Sequence, residues 1–390
     1  QKIKTYASKT DILVISAGTS KGIKDITAKA VEDAAGKIHF HGVAIQPGKP
    51  VLFAEVGDVP VIGLPGYAAA AFIAAHLYLR PLVTHFSGVG ADLPRSNFIS
   101  AEELAPRPVD SFYRIQLYDV DGQVYARKIA RGASSLVSLS EMDGLMHVPP
   151  NVAIKKRDAV RVDIIRDRAQ NSVVATGVDD PNTHRLFDLV RECLPQHRLL
   201  FFDATSEKAL QNIVERNTHL AIISTPDRGV DIFPAHTKQL QEPQHRYRLF
   251  TRTAGLIFRG AEKKYATLGE VPMGLRLMVP EKREPLWDQF RFALRLDELK
   301  FRPQFGSSDE NSLTSALGSE QWDAVFADIR FMKQNQYCVA SVLEHVDLVA
   351  PESFLTLEPV KKLIDLLLSD AFGKWVATQT GCDGTARGLV

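Results

Sequence analysis

Along residues 11–86, short apolar runs alternate with amphipathic stretches. DILVIS predicts a strand, 23–35 carries helical spacing, VLFAEV and VPVIGL meet at Gly57-Asp58 as a hairpin, and the apolar stretch 68–85 predicts a helix. Strands separated by helices imply an α/β layer. Between about Pro94 and Arg166 the pattern shortens. FYRIQLYDVDGQVYARKI is two alternating runs around the turn pair Asp121-Gly122, and DAVRVDII alternates Val160, Val162 and Ile164 with polar positions. Alternation with period two predicts half-buried strands, hence a small β barrel or sandwich. The polar stretch 169–181 reads as a linker.

From about Asn182 the α/β pattern returns. HRLLFFDA and HLAIIST are predicted strands around a helix at 206–216; AGLIF, LRLMVP and WDAVFADI follow, and DLVAP precedes one long helix at 358–380. The expected domains are 1–90, 91–168 and 182–390.

Composition narrows this picture. At 390 residues the chain exceeds one compact core, and a net charge of +1 supplies no field for nucleic acid or an anionic membrane. No apolar run reaches the ~18 residues of a membrane span. Cys193, Cys338 and Cys382 are widely spaced and odd in number, which suggests neither a disulfide framework nor a thiolate metal site. The chain opens on Gln1 without a secretory signal, so the expectation is a cytoplasmic protein whose natural N-terminus lies upstream.

Two rigid turns frame the 45–66 hairpin: Pro47-Gly48-Lys49-Pro50 and Gly63-Leu64-Pro65-Gly66. Upstream, SAGTSKGIKD joins a strand to a helix, with Gly18 and Gly22 easing the backbone and Ser16, Thr19 and Ser20 offering hydroxyls. Free amides entering a helix make an anion site, and Asp25 in the first turn is placed to hold Mg²⁺ beside a phosphate. The alternative is a glycine-eased turn with Asp25 as a dipole partner.

In order and spacing, the strand, the SAGTSKG loop with Asp25, HGVAIQPGKP and VIGLPGYAAAA resemble the MoeA family of molybdenum insertases, which includes the C-terminal part of gephyrin. The resemblance covers about 10–88, and EMDGLMHVPP with DAVRVDII resembles the family's C-terminal β domain. It implies a partial doubly wound domain containing only the C-terminal half, then the β domain. The missing half would lie upstream or on a partner, because half such a domain leaves its sheet uncovered. It further implies insertion of molybdate into adenylated molybdopterin with release of AMP. Asp25 and Lys49 would be catalytic, with Mg²⁺ at Asp25, and Gly18, Thr19, Ser20, Gly22, Gln46, Pro47, Gly48, Pro65 and Gly66 would line the pterin nucleotide site. Lys49 suits an oxyanion because an ammonium is a point charge with three donors. A homodimer is implied, with other molybdenum cofactor biosynthesis proteins as partners; molybdate and tungstate are not distinguished. This chain departs from the family at Gln46, where lysine is common, at Ala68 in place of proline, and at Lys21 in place of a small apolar residue. A catalytically degenerate module that binds or senses a small ligand, oxyanion or pterin, therefore stays open.

Residues 182–390 resemble a periplasmic-binding-protein-like domain of the LysR substrate-binding type, through RTAGLIF, WDAVFADI and GCDGTARGLV. That implies two lobes around a small ligand, with Thr205, Ser206, Ser224, Thr225 and Asp328 at strand-to-helix junctions as contacts. Helix N-capping is the alternative for the hydroxyls. Arg283 is a further anion contact on this reading. His39 and His41 lack a third ligand nearby in sequence and read as an ordinary strand.

Overall fold

The computed structural model describes residues 2–16, 26–90, 93–129, 136–227, 242–260, 264–267, 270–272, 274–280, 304–306 and 310–390. The chain divides into two compact units, Gln1–Gln170 and Asn171–Val390.

In the first unit, helix α1 (Lys2–Ala7) precedes β1 (Leu13–Ser16) and α2 (Ile26–Asp33). Then come β2 (Lys37–His41), the short β3 (Ile45–Gln46), β4 (Leu52–Val56) and β5 (Val59–Leu64). The first sheet has the order β1-β5-β4-β2, with β1 parallel to β5 and the β4–β5 hairpin antiparallel. Gly57 at the hairpin tip has φ +63°, a conformation glycine adopts without steric cost. Val31, Ala34, Leu52, Ala54 and Val61 form one core with α1 and α2. Val51, Ile62, Leu64 and Ala74 form another on the far side, with Phe40, Phe53 and Tyr78. Helices 26–33 and 68–87 cover opposite faces of the β4–β5 hairpin, while Val14 on the edge strand β1 stays 41% exposed, in line with a sheet covered only in part.

The second helical stretch runs as α3 (Ala68–Ala74), a π turn at Ala75–Leu79 and α4 (Arg80–Ser87), ending on Gly88 in the left-handed region. His76, in the π turn, lies 3.6 Å from Asp163 and 3.4 Å from Arg80.

Strands β6 (Arg95–Ser100), β7 (Asp110–Val120) and β8 (Gln123–Lys128), helix α5 (Val137–Glu141), then β9 (Gly144–Val148) and β10 (Ala159–Ile164) make the β domain. The strand order β7-β8-β6-β10-β9 closes on itself through the β7–β9 ladder, so the expected small β domain is a barrel, here of five strands, and β3 pairs with β7 beside it. Asp121 and Gly122 both have positive φ, 54° and 78°, as a type I′ hairpin turn requires. Inside the barrel, Asp143 is fully buried; it accepts from Leu117 N–H at 2.8 Å and from Arg168 Nε at 2.7 Å.

The second unit holds β11 (Ser172–Gly177), α6 (Pro181–Cys193), β12 (Arg198–Asp203), α7 (Ser206–Val214) and β13 (Leu220–Pro226). These are followed by β14 (Gln244–Arg259), β15 (Leu277–Pro280), β16 (Gln304–Gly306), the helix Glu310–Gly318, β17 (Ala324–Asp328) and β18 (Gln336–Pro351). The helices Glu358–Leu368 and Asp370–Ala377 and the short β19 (Cys382–Asp383) and β20 (Gly388–Leu389) close it. The sheet order is β12-β11-β13-β18-β14-β17-β15-β16. Strands β14 and β18 are 16 residues each and run through two lobes. One core gathers Phe187, Leu220, Ile222, Phe250, Leu348 and Phe372, and the other Leu256, Phe258, Leu277 and Phe326.

Two expectations are corrected here. The stretch read as a linker contains β11, a central strand buried along its whole length between β12 and β13. Ser172 and Thr176 made it look polar, yet a short central strand only needs its amides paired and both faces covered. The predicted long helix is two: Ser369, extended at φ −70° and ψ 147°, ends the first, and its hydroxyl accepts from Phe372 N–H to cap the second. Cys193, Cys338 and Cys382 are free.

Candidate functional site

Sheet register brings the end of β1 and the two turns that frame the hairpin to one end of the sheet. In the parallel β1–β5 pair, Ser16 is the partner of Leu64, so the end of β1 lies beside the Gly63–Gly66 turn. In the hairpin, Leu52 is the partner of Gly63, which brings the Pro47–Pro50 turn to the same edge. This is the C-terminal end of the parallel strands, where open α/β sheets place their ligands. Asp25, Gly18, Thr19, Ser20 and Gly22 lie outside the described residues.

The first turn is held from both sides. Ile45 and Gln46 pair with Asp110 and Ser111 of the barrel, and the Lys49 carbonyl accepts from Val43 N–H at 2.9 Å. The Gln46–Pro47 peptide is cis. Gly48 has φ +118°, and a Cβ there would meet Ile45 Cδ1 at 2.9 Å and Ala70 O at 3.7 Å. The φ of +118° is what favours glycine here, since the approach to Ala70 O is ordinary contact. Gln46 and Lys49 are both exposed, leaving the ammonium at the tip open to solvent.

At the second turn Pro65 is buried and Gly66 exposed. Tyr67 follows as the N-cap at φ −87° and ψ 131°, 66% exposed, and Ala68 is the first helical residue. The substitution at Ala68 therefore falls at a position where proline is favoured for backbone reasons. Tyr67 was not among the sequence candidates, although an aromatic between a turn and a helix start is a legible signal.

In the second unit the five sequence candidates separate. Thr205 caps α7, accepting from Lys208 N–H at 3.3 Å. Ser206 donates to Ser224 O at 3.1 Å and accepts from Ser224 N–H at 2.9 Å, which fastens α7 to β13. Thr225 Oγ1 accepts from Arg246 at 3.1 Å. These hydroxyls are engaged within the protein.

Asp328 differs, for it belongs to a buried charge cluster that sequence reasoning missed. Asp180 Oδ2 accepts from Arg252 Nη1 and Arg330 Nη1, each at 2.8 Å. Arg252 also donates to Glu344 through Nε at 2.7 Å and Nη2 at 3.2 Å. Burial pushes the Asp328 and Glu344 carboxyls up despite these arginines. Burial opposes the charge on Arg252 too, but Glu344 and Asp180 hold its guanidinium protonated. The members come from the β11–α6 junction, β14, β17 with the turn Ile329–Phe331 after it, and β18, so no local spacing in the chain announces the set. Arg283 lies outside the described residues.

Among the described residues no group of three or more His, Cys, Asp or Glu side chains is placed to hold a metal. His39 pairs with Glu55 at 3.0 Å, in keeping with an ordinary strand. No helix among the described residues is long and apolar enough to cross a membrane.

Residues 1–85 match the family "probable molybdopterin binding domain", and residues 100–165 match "MoeA C-terminal region (domain IV)". The molybdenum cofactor synthesis protein cinnamon of Drosophila melanogaster is 32% identical over 143 residues, covering 36% of this chain and 24% of that protein. The molybdopterin molybdenumtransferase of Haemophilus influenzae is 35% identical over 81 residues, covering 21% of this chain and 20% of its own. The match thus spans a quarter or less of those two relatives' length. Among solved structures, an ABC-type phosphate transport receptor from Vibrio cholerae aligns with a TM-score of 0.40 and 11% identity, over 53% of this chain and 98% of the receptor. A segment matching a probable molybdopterin binding domain is thus followed in the chain by one matching the MoeA C-terminal region.

Proposed function

We propose that the first unit is a molybdenum insertase module: it takes adenylated molybdopterin and molybdate, places the metal in the dithiolene and releases AMP. The observation that carries this reading is the convergence of Ser16, Leu64 and the Lys49 turn at one sheet edge, inside a segment matching a molybdopterin binding domain. The exposed Lys49 ammonium would meet the oxyanion, and the rigid turn would present it preorganised. Gln46, Pro47 and Gly48 on one side and Pro65 and Gly66 on the other would flank the pterin nucleotide. Mg²⁺, which would neutralise phosphate charge, belongs on this reading to Asp25; that residue is outside the described set, and no step here is routed through the ion. Gln46 leaves Lys49 as the cation of this turn. A homodimer acting with other proteins of cofactor assembly, in the cytoplasm, completes the reading.

AMP release from adenylated molybdopterin by the full chain, with and without molybdate, tests it. Molybdate-dependent release that is lost in Asp25→Ala and Lys49→Ala supports the insertase. Nucleotide binding without release would leave a degenerate module.

A second reading, a small-ligand sensor acting through the second unit, is favoured by the buried charge cluster around Asp180 and Arg252.

A further inference from the structure

Within the first unit, the helical stretch 68–87 borders a cleft of about 610 Å³. Phe72, Ala75, Leu79 and Val83 recur along its helical wall at spacings of three and four, and Ile165, just past β10, adds to the lining. The volume lies in the range of small-molecule sites, about 300–1,000 Å³. Val83 is 49% exposed, so this apolar wall is open to solvent. Two polar side chains interrupt it, His76 and Arg80. They stand in and directly after the π turn Ala75–Leu79. Pro81 follows, with no N–H to return to the carbonyl four residues earlier, which accounts for the irregular turn. Such turns are frequent at functional sites.

The charges at this point leave one cation over. Asp163 accepts from Arg95 Nε at 2.5 Å and stands 3.6 Å from His76 Nε2. Burial, then Arg80, push the His76 ring down from its ordinary value, so it carries no charge at neutral pH. Arg80 Nη1 lies 3.4 Å from His76 Nδ1, and among the described residues no carboxylate pairs with Arg80. Two guanidiniums, Arg80 and Arg95, therefore stand against the single carboxylate of Asp163, and Arg80 is the one that lines the cleft.

We propose that this cleft binds a small amphipathic carboxylate, its apolar body against Phe72, Leu79 and Val83 and its carboxylate on the Arg80 guanidinium. A guanidinium offers a planar carboxylate two parallel N–H donors, and only Nη1 of Arg80 is turned to His76. A phosphate dianion would bring a second charge that one surplus cation does not balance. An uncharged apolar molecule would cover the wall and leave the guanidinium without a partner. None of the lining residues belongs to the Lys49 turn, and the site is independent of the insertase reading.

Calorimetric titration of the full chain with 2-naphthoate, and separately with 2-naphthalenemethanol, tests this, because the alcohol has the same rings and no charge. Naphthoate is expected to bind at least tenfold more tightly than the alcohol. Arg80→Met, which keeps an unbranched apolar stem, is expected to weaken naphthoate at least tenfold and to leave the alcohol unchanged. Val83→Glu, which places a carboxylate on the open wall, is expected to abolish binding of both. Neither side chain is buried, and far-UV circular dichroism of both variants checks that the fold is kept. Three results would overturn the proposal. They are no naphthoate binding, alcohol binding as tight as naphthoate, which would make the cleft a purely apolar surface, or naphthoate binding unmoved by Arg80→Met, which would place it elsewhere in the chain.

Discussion

Ser16 and Leu64 are partners at the C-terminal ends of β1 and β5, and that pairing draws three distant sequence segments together. β1 ends at one, the Gly-Leu-Pro-Gly turn follows the other, and Leu52 opposite Gly63 adds the lysine turn. Lys49→Ala should lower molybdate-dependent AMP release on the order of 10²-fold, the scale of removing one charge-stabilising donor. Steady-state kinetics against molybdate concentration checks this. An unchanged rate would remove Lys49 from the site.

Ala68→Pro should be tolerated and should raise stability by about 0.4–1 kcal/mol, because it restricts the unfolded chain. Ala68 is the first helical residue, whose N–H has no intrahelical acceptor. Tyr67 already holds the extended backbone that a following proline demands. Urea unfolding followed by far-UV circular dichroism measures the change, and a loss of stability would show that the turn is strained at this position.

Acid should weaken the second unit through His219. This ring is 4% exposed, accepts from Val174 N–H at 3.1 Å and packs 4.7 Å from Phe354. Burial pushes its pKa from 6.5 down to about 4. Because the unfolded state then binds the proton first, stability is full above the unfolded value and falls as pH drops from 6.5 towards 4. At ~1.4 kcal/mol per pKa unit the loss by pH 4 is about 3 kcal/mol. All three tryptophans, Trp287, Trp322 and Trp375, lie in this unit, so tryptophan emission during urea unfolding reports it alone. His219→Gln should flatten the slope between these pH values, whatever it does to stability at pH 8.

Asp143→Ala should cost about 1–3 kcal/mol, the scale of leaving a buried donor unsatisfied. It would strip the acceptor from Leu117 N–H and from Arg168 Nε, while the partly exposed Arg168 keeps its contacts to the Ser140, Glu141 and Met142 carbonyls. The far-UV transition of the first unit should move to lower urea while the tryptophan transition stays in place. A joint shift would mean that the units unfold together.

Local pattern alone determined much of this protein. The β4–β5 and β7–β8 hairpins follow from alternation around Gly57-Asp58 and Asp121-Gly122, since strand period and turn chemistry act over a few residues. The ordered motifs that resemble the MoeA family, matched at 1–85 and 100–165, were equally legible, because their residues are close in the chain. Tertiary structure decided the rest. β11 is a strand because β12 and β13 pair with both its edges, which its polar sequence does not reveal. The helix at 358–380 breaks at Ser369, whose hydroxyl caps the following turn although the apolar periodicity runs on. The Asp180–Arg252–Glu344 cluster unites residues far apart in the chain, and only long-range pairing of β14 with β18 brings Arg252 opposite Glu344. Charges buried by such pairing leave no periodic trace, because their partners are chosen by space and not by spacing.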